Sequence, residues 1–498
     1  MNFIKFNQKS LEITKGPFQA TVESLQQYKC PDWYQDAKFG IWAHWGPQAV
    51  PCVGDWYARQ MYIEGSKQYK HHIENYGHPS KFGYKDIVKL WKAEHFDPTA
   101  LMKLYKRAGA RYFMALGVHH DNFDCWDSKY HNWNSVKMGP CKDIVGMWRD
   151  AALKEGLRFG VSEHHERSYS WFNTNKNCDK EGAYAGVPYD GNDPAYEDFY
   201  YEPHPDDNYA YPLNPSPHFV ENWYLRIKDL IECYHPEIVY MDGGVPFGEV
   251  GLAMIANYYN SNINQRGGKL EAVHLLKDVN AIFPEVNHGE FYEGIATEDF
   301  ECGVTDKIMS EPWQSGTHIG DWMYNRTIEY KPIRHVIHQF IDTVSKNGNM
   351  LLTLPPKPDG TLDDYCMKFL AEMEKWITVN GEAIYSTRPW KSYGEGVVQP
   401  SSGAYQEQET NYTASDFRFT KKGDSVYAFW MKWPQDNRLI IKSFAADGQN
   451  DKVEFVRLLG YGGDLEWQQK QEGLFITLPN EKPCEFAWAL EIKHKAST

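Results

Sequence analysis

Between about residue 36 and residue 380, short apolar runs alternate with amphipathic stretches of helical period, which restricts the chain to repeated strand–helix units. The spacing predicts strands over 39–44, 111–118, 157–162, 237–241, 281–286 and 350–354. Helices are expected over 99–108, 144–155, 218–234, 332–345 and 363–379. An α/β fold of (β/α)8-like, TIM-type barrel form accommodates these units, with a doubly wound open sheet as the alternative. Long Tyr-, Pro- and Asp-rich stretches, such as that from Asn173 to Pro217, interrupt the rhythm as loops. After Pro389 the texture changes to short β-type runs (426–431, 439–444, 452–459 and 474–478) separated by Gly, Asp and Asn turns. That is the pattern of an antiparallel β-sandwich. A chain of 498 residues exceeds one ordinary core, so the expected division is 1–387 for the barrel with its N-terminal extension and 388–498 for the sandwich.

Charge and composition narrow the partners. With 67 acidic against 52 basic residues the net charge is −15, which disfavours a nucleic-acid partner or an anionic lipid surface. No run approaches the roughly 20 apolar residues of a membrane span, and residues 1–15 lack the basic start and apolar centre of an export signal. The nine cysteines are odd in number and show no CxxC spacing, so neither a zinc knuckle nor a dense disulfide framework is indicated. Aromatic residues make up 15% of the chain, a surplus that fits either a sugar-binding cleft or a Trp-rich core.

In a barrel enzyme the chemistry gathers at the C-terminal ends of the strands. Here four runs end in polar residues: Ala43-His44-Trp45-Gly46, His119-His120-Asp121, Glu163-His164-His165-Glu166 and Tyr240-Met241-Asp242-Gly243-Gly244. Neighbouring residues on an extended strand face opposite sides, and neither HExxH nor an HxH after the first strand occurs, so no metal site is expected. The absence of GxSxG, GxGxxG and a Walker A pattern speaks against a serine nucleophile and a nucleotide cofactor. Paired carboxylates among hydroxyl-binding residues and aromatics remain, the equipment of glycoside hydrolysis. Asp242 is the nucleophile candidate. The acid partner is expected in the segment 297–317, which holds Glu298, Glu301 and Glu311.

At this point the residues become recognisable. The run Trp33-Tyr-Gln-Asp-Ala-Lys-Phe-Gly-Ile-Trp-Ala-His-Trp-Gly46, followed by Asp55-Trp56-Tyr57-Ala58-Arg59, resembles the opening of the α-L-fucosidase family, glycoside hydrolase family 29. So do His119-His120-Asp121, Lys142-Asp143-Ile144-Val145-Gly146, Asp242-Gly243, the stretch from Asn347-Gly348-Asn349 to Lys357-Pro358-Asp359-Gly360, and Asn380-Gly381-Glu382-Ala383-Ile384-Tyr385. The resemblance implies a distorted (β/α) barrel followed by a β-sandwich. It also implies retaining exo-hydrolysis of terminal α-L-fucose, with Asp242 as nucleophile and a Glu as acid/base. His44, Trp56, His119 and His120 match family positions that hold the sugar, and Asp55 stands where many members have Glu. Some members carry the acid/base directly after a Trp, where this chain has Trp313-Gln314. Others place it upstream, and Phe300-Glu301-Cys302-Gly303 resembles that arrangement, so Glu301 is favoured over Glu298 and Glu311.

Substrate is less constrained. After the third strand many members have a Tyr-rich segment, whereas this chain has Glu163 and His164, which could serve a C6 hydroxyl and so make an α-L-galactosidase the alternative. Trp322 resembles a family position beside the C6 methyl and argues for fucose, and Trp313 is expected with it among the substrate-binding residues. An inactive carbohydrate-binding relative is the alternative outside the enzyme class. No cofactor is expected, the partner is a carbohydrate, and the oligomeric state is open. The resemblance points to an exported, periplasmic or secreted protein whose signal has been removed, with the cytoplasm as the alternative.

Overall fold

The computed structural model describes residues 2–278, 289–446 and 452–495. An N-terminal hairpin, β1 (Asn2–Phe6) and β2 (Lys9–Ile13), precedes the barrel. The barrel is closed by eight parallel strands: β3 (Phe39–Ala43), β4 (Tyr112–Val118), β5 (Arg158–Glu163), β6 (Ile238–Met241), β7 (Val273–Leu276), β8 (Thr297–Asp299), β9 (Trp313–His318) and β10 (Gly348–Thr353). Closure comes from β10 pairing with β3, where Met350 lies opposite Phe39.

Strands covered on both faces must be apolar throughout, and alternate residues divide between two cores. Trp42, Tyr112, Met114, Ile238, Tyr240, Val273, Leu275 and Leu351 fill the barrel interior. Phe39, Ile41, Phe113, Ala115, Phe159, Val161, Val239 and Leu352 face the surrounding helices. Gly40 makes room for the interior layer, since a Cβ there would stand 2.1 Å from the Tyr112 ring. Side chains cap the helices at their starts: the carboxylates of Asp97, Asp143 and Asp363 accept from Ala100 N, Gly146 N and Cys366 N, and Ser216 Oγ accepts from Phe219 N.

The expected strand over 281–286 lies outside the described residues. The strands β7, β8 and β9 were not anticipated: β7 has four residues, β8 three, and β9 reads WQSGTH. Polar β9 is tolerated inside the fold because the side chains of Gln314, Ser315 and Thr317 are paired. Gln314 Nε2 donates to Asp299 Oδ1 (2.7 Å) and Ser315 Oγ to the Gly303 carbonyl (2.7 Å).

Two antiparallel sheets follow the barrel. The five-stranded one runs β11 (Arg388–Glu395), β12 (Phe417–Lys422), β13 (Ser425–Trp430), β18 (Trp488–Lys495), β15 (Lys452–Leu458). The other runs β14 (Arg438–Ile441), β17 (Gly473–Thr477), β16 (Glu466–Lys470). Phe417, Phe419, Leu439, Ile441, Leu474, Ile476, Leu490 and Ile492 form the core between them. A buried ion cluster ties β12 to the barrel helix Ile333–Ser345: Asp342 accepts from Arg418 Nε (2.5 Å) and from Lys346 Nζ (2.6 Å). Burial pushes the Asp342 carboxyl up, but the Arg418 and Lys346 charges hold it below the usual range. Removing that carboxylate strands two buried cations. Asp342→Ala is therefore expected to destabilise the chain by about 3–5 kcal/mol, read by calorimetry as a lowered unfolding temperature. An unchanged transition would mean that the cluster is solvated.

Candidate active site

A cavity of about 230 Å³ opens at the C-terminal ends of the barrel strands. Its walls come from the residues just past those ends: His44 after β3, His119 and His120 after β4, His164 after β5, Asp242 after β6, Lys277 after β7 and Glu301 after β8. Register helps aim the second pair. A shift against β5 between Leu116 and Val118 kinks β4 at its rim, and the chain turns there, so both imidazoles reach the same cavity with ring centres 4.4 Å apart. Trp56 enters from the loop after β3 with a left-handed backbone (φ +62°), its amide donating to Asp55 Oδ1 (2.7 Å). Trp42 and Tyr240, the top of the interior core, form the floor with Trp322, whose ring meets Trp42 edge to face at 5.4 Å.

The electrostatic centre is Asp242. Lys277 Nζ lies 2.5 Å from Oδ1 and Arg167 Nη1 2.5 Å from Oδ2, while His120 Nε2 and His164 Nδ1 each stand 3.3 Å from Oδ2. Burial alone would raise this carboxyl; the two cations and the imidazoles hold it well below the usual range. The same Lys277 ammonium also touches Glu301 Oε2, which accepts in addition from the Tyr405 hydroxyl (2.7 Å). One cation thus bridges two carboxylates.

Around this centre burial lowers the affinity of the imidazoles for protons. Burial, then the neighbouring His164, holds His44 well below its ordinary value, and burial with the adjacent imidazoles does the same for His119. Burial and the Arg167 charge push His120 down to about 3. Gln48 Nε2 donates to His119 Nδ1 (2.8 Å), which leaves the Nε2 proton facing the cavity, and His120 Nδ1 donates to the His164 carbonyl (2.7 Å). Among the described residues His44 has no protein hydrogen-bond partner at either nitrogen, so both are available to a ligand. Two groups, His44 with His119 and His164, and His120 with His164 and Asp242, bring their ligand atoms within 4.8 Å of one another and could hold a metal ion. Neutral imidazoles with one donor and one acceptor each serve sugar hydroxyls equally well.

Of the residues singled out from sequence, His44, Asp55, Trp56, His119, His120, His164, Asp242, Glu301 and Trp322 line this one cavity. The other four do not. Glu163 is fully buried behind the wall, accepting from His165 N (2.9 Å); burial raises its carboxyl to about 7, and burial with the Glu163 charge raises neighbouring Glu166 well above its usual range. Trp313 is a core ring of β9 whose Nε1 donates to the Lys346 carbonyl (2.9 Å). Glu298 and Glu311 line a different cavity with Tyr28 and Cys30. Sequence reasoning missed Arg167, Lys277 and Tyr405, and it gave no site role to Trp42 and Tyr240, which stand inside the runs it singled out. The apolar run Val273-His-Leu-Leu276 ahead of Lys277 carried a readable signal, whereas Tyr405 had none.

Comparison with known proteins came to the same region of fold space. The sequence model described as alpha-L-fucosidase matches residues 5–382, and that of the alpha-L-fucosidase C-terminal domain matches residues 408–493. The human tissue alpha-L-fucosidase is 27% identical over 495 residues, covering 94% of this chain and 90% of its own. An alpha-L-fucosidase of Branchiostoma floridae is 26% identical, with 96% of each chain covered. The crystal structure of Thermotoga maritima alpha-fucosidase in complex with fucose superposes with a TM-score of 0.72 at 25% identity, covering 95% of this chain and 99% of that one.

Neutral, desolvated imidazoles lead to a direct expectation. The ring resonances of His44, His119 and His120 stay flat between pH 5 and 8 in histidine-labelled NMR spectra, while exposed histidines titrate near pH 6.5. The unfolded chain takes up these protons first as pH falls below about 6.5, so this contribution to stability declines toward acid. A sigmoid near pH 6.5 for any of the three would show that the pocket is not desolvated.

Proposed function

The chain belongs to the alpha-L-fucosidase family, and on that premise we propose that it is a retaining exo-α-L-fucosidase, with Asp242 as nucleophile and Glu301 as acid/base. The observation that carries the reading is the Lys277 ammonium in contact with both carboxylates. A cation touching both keeps the nearer oxygens within about 5 Å, which is compatible with the spacing of a retaining pair.

The charges support the two steps in turn. In the free site Asp242 is held ionised beside Lys277 and Arg167, and Glu301 enters the proposed first step as the acid. Oε2 of Glu301 is occupied as an acceptor, which leaves Oε1 to donate to the departing glycosidic oxygen. Attack by Asp242 on the anomeric carbon converts its carboxylate to a neutral ester, and the Glu301 proton leaves with the aglycone. Lys277 then faces one carboxylate, that of Glu301, and stabilises it as the base that takes a proton from the incoming water. The number of charges around the ammonium is conserved while the proton moves.

His44, His119 and Asp55 would hold the ring hydroxyls, and the Trp42–Trp322 wall offers an apolar face for the C6 methyl. Of the two candidates for pairing a C6 hydroxyl, Glu163 is buried outside the cavity and His164 lines it, so the preference for fucose rests on the apolar Trp42–Trp322 face.

The deciding measurement compares initial rates on matched aryl α-L-fucoside and α-L-galactoside and follows the released sugar by NMR. Faster release from the fucoside with α-configuration retained is expected; inversion or a galactoside preference would overturn the reading. Asp242→Asn is expected to lower kcat on the order of 10³-fold or more while fucose still binds. Glu301→Gln should slow alkyl or glycan leaving groups by about 10²- to 10⁴-fold, spare a dinitrophenyl fucoside in the first step, and yield glycosyl azide when azide is supplied.

A further inference from the structure

We propose that Tyr405, carried by the loop between β11 and β12 of the C-terminal sandwich, is a positioning residue for Glu301, so that the barrel's active site is completed from outside the barrel. This inference rests on Glu301 as the acid/base.

The segment after β11 returns to the barrel mouth and pairs with the backbone around Glu301. Gly403 N donates to the Val304 carbonyl (2.8 Å), Tyr405 N to that of Glu301 (2.7 Å) and Glu407 N to that of Cys302 (2.9 Å). The approach is close enough to require glycine at 303, where a Cβ would lie 2.1 Å from the Gly403 carbonyl oxygen. Tyr405 itself has φ +58°, a left-handed backbone that a bulky side chain adopts only when its surroundings impose it. Glu407 supplies the anchor. Its carboxylate contacts Lys331 Nζ (2.6 Å) and His335 Nε2 (3.1 Å) and accepts from Thr317 Oγ1 (2.6 Å).

This anchoring delivers a phenol to the reacting acid. The Tyr405 hydroxyl donates to Glu301 Oε2 at 2.7 Å, and the residue as a whole remains 40% exposed where it lines the cavity. Burial and the Glu301 charge hold the phenol well above its ordinary range, so it remains a hydrogen donor at every working pH. Its bond fixes which carboxyl oxygen is free to protonate the leaving group and strengthens as that carboxyl becomes charged. Lys277 shares the same oxygen, so the effect of losing the phenol is partial.

The test uses the full-length enzyme and two fucosides, one with an alkyl leaving group and one with dinitrophenolate. Tyr405→Phe is expected to lower kcat on the alkyl fucoside about 10-fold with KM changed less than twofold, and to change the dinitrophenyl rate at most twofold. Gly303→Ala, which pushes the segment off, is expected to show the same leaving-group dependence. The double variant should lose no more than the worse single one. Equal loss on both substrates, or an unchanged alkyl rate while Glu301→Gln keeps its own leaving-group dependence, would overturn the role of Tyr405 alone. Absence of that dependence in Glu301→Gln would remove the acid/base assignment, and Tyr405 with it.

Discussion

A carboxylate at the bottom of a desolvated pocket stays charged only if cations stand against it, and the whole site is organised around meeting that demand at Asp242. Lys277 and Arg167 each come within 2.5 Å of one of its oxygens, from the ends of different strands. Because Lys277 is shared with Glu301, the positions of both carboxylates are tied to one ammonium. The barrel makes this geometry rigid: Tyr240, one residue inside Met241, and Trp42 pack in its interior and fix the floor on which the charged groups rest.

The same scarcity of water explains the company these charges keep. Four imidazoles line the cavity, all with lowered affinity for protons, so they add hydrogen-bonding capacity without adding positive charge. Behind the wall, Glu163 and Glu166 are driven the other way, toward the protonated form. Like charges packed there could not both ionise beside Asp242. The charged groups that meet at Asp242 are Arg167 and Lys277, with Asp55 held well above the usual carboxylate range by burial and then by Asp321.

The C-terminal region takes part in this arrangement as well as bracing the barrel. The Asp342–Arg418–Lys346 cluster holds β12 against a barrel helix, and Glu407 fastens the connecting segment where Tyr405 meets Glu301. Burial pushes the Glu407 carboxyl up, but His335 and Lys331 bring it down to about 2. That anchor therefore contributes stability above the ordinary Glu value of about 4.3, lost as pH falls toward about 2.

Apolar runs such as 39–44 and 111–118 determined by themselves that there would be strands, and the polar residues after them determined which ends would carry chemistry. Helix starts were legible too, because a capping side chain such as Asp143 acts within three residues of itself. The short or polar strands β7, β8 and β9 were not legible, since they persist through pairing with neighbours on both sides and through partners such as Asp299 for Gln314. Of the three glutamates within fourteen residues of sequence, Glu301 lines the cavity of Asp242 while Glu298 and Glu311 line another, a division set by where the chain turns after β8. Local sequence carries the short-range terms of backbone preference and capping. Which charges meet at Asp242, and that Tyr405 arrives from a hundred residues beyond Glu301, depends on contacts that exist only once the barrel has closed and the segment has folded back.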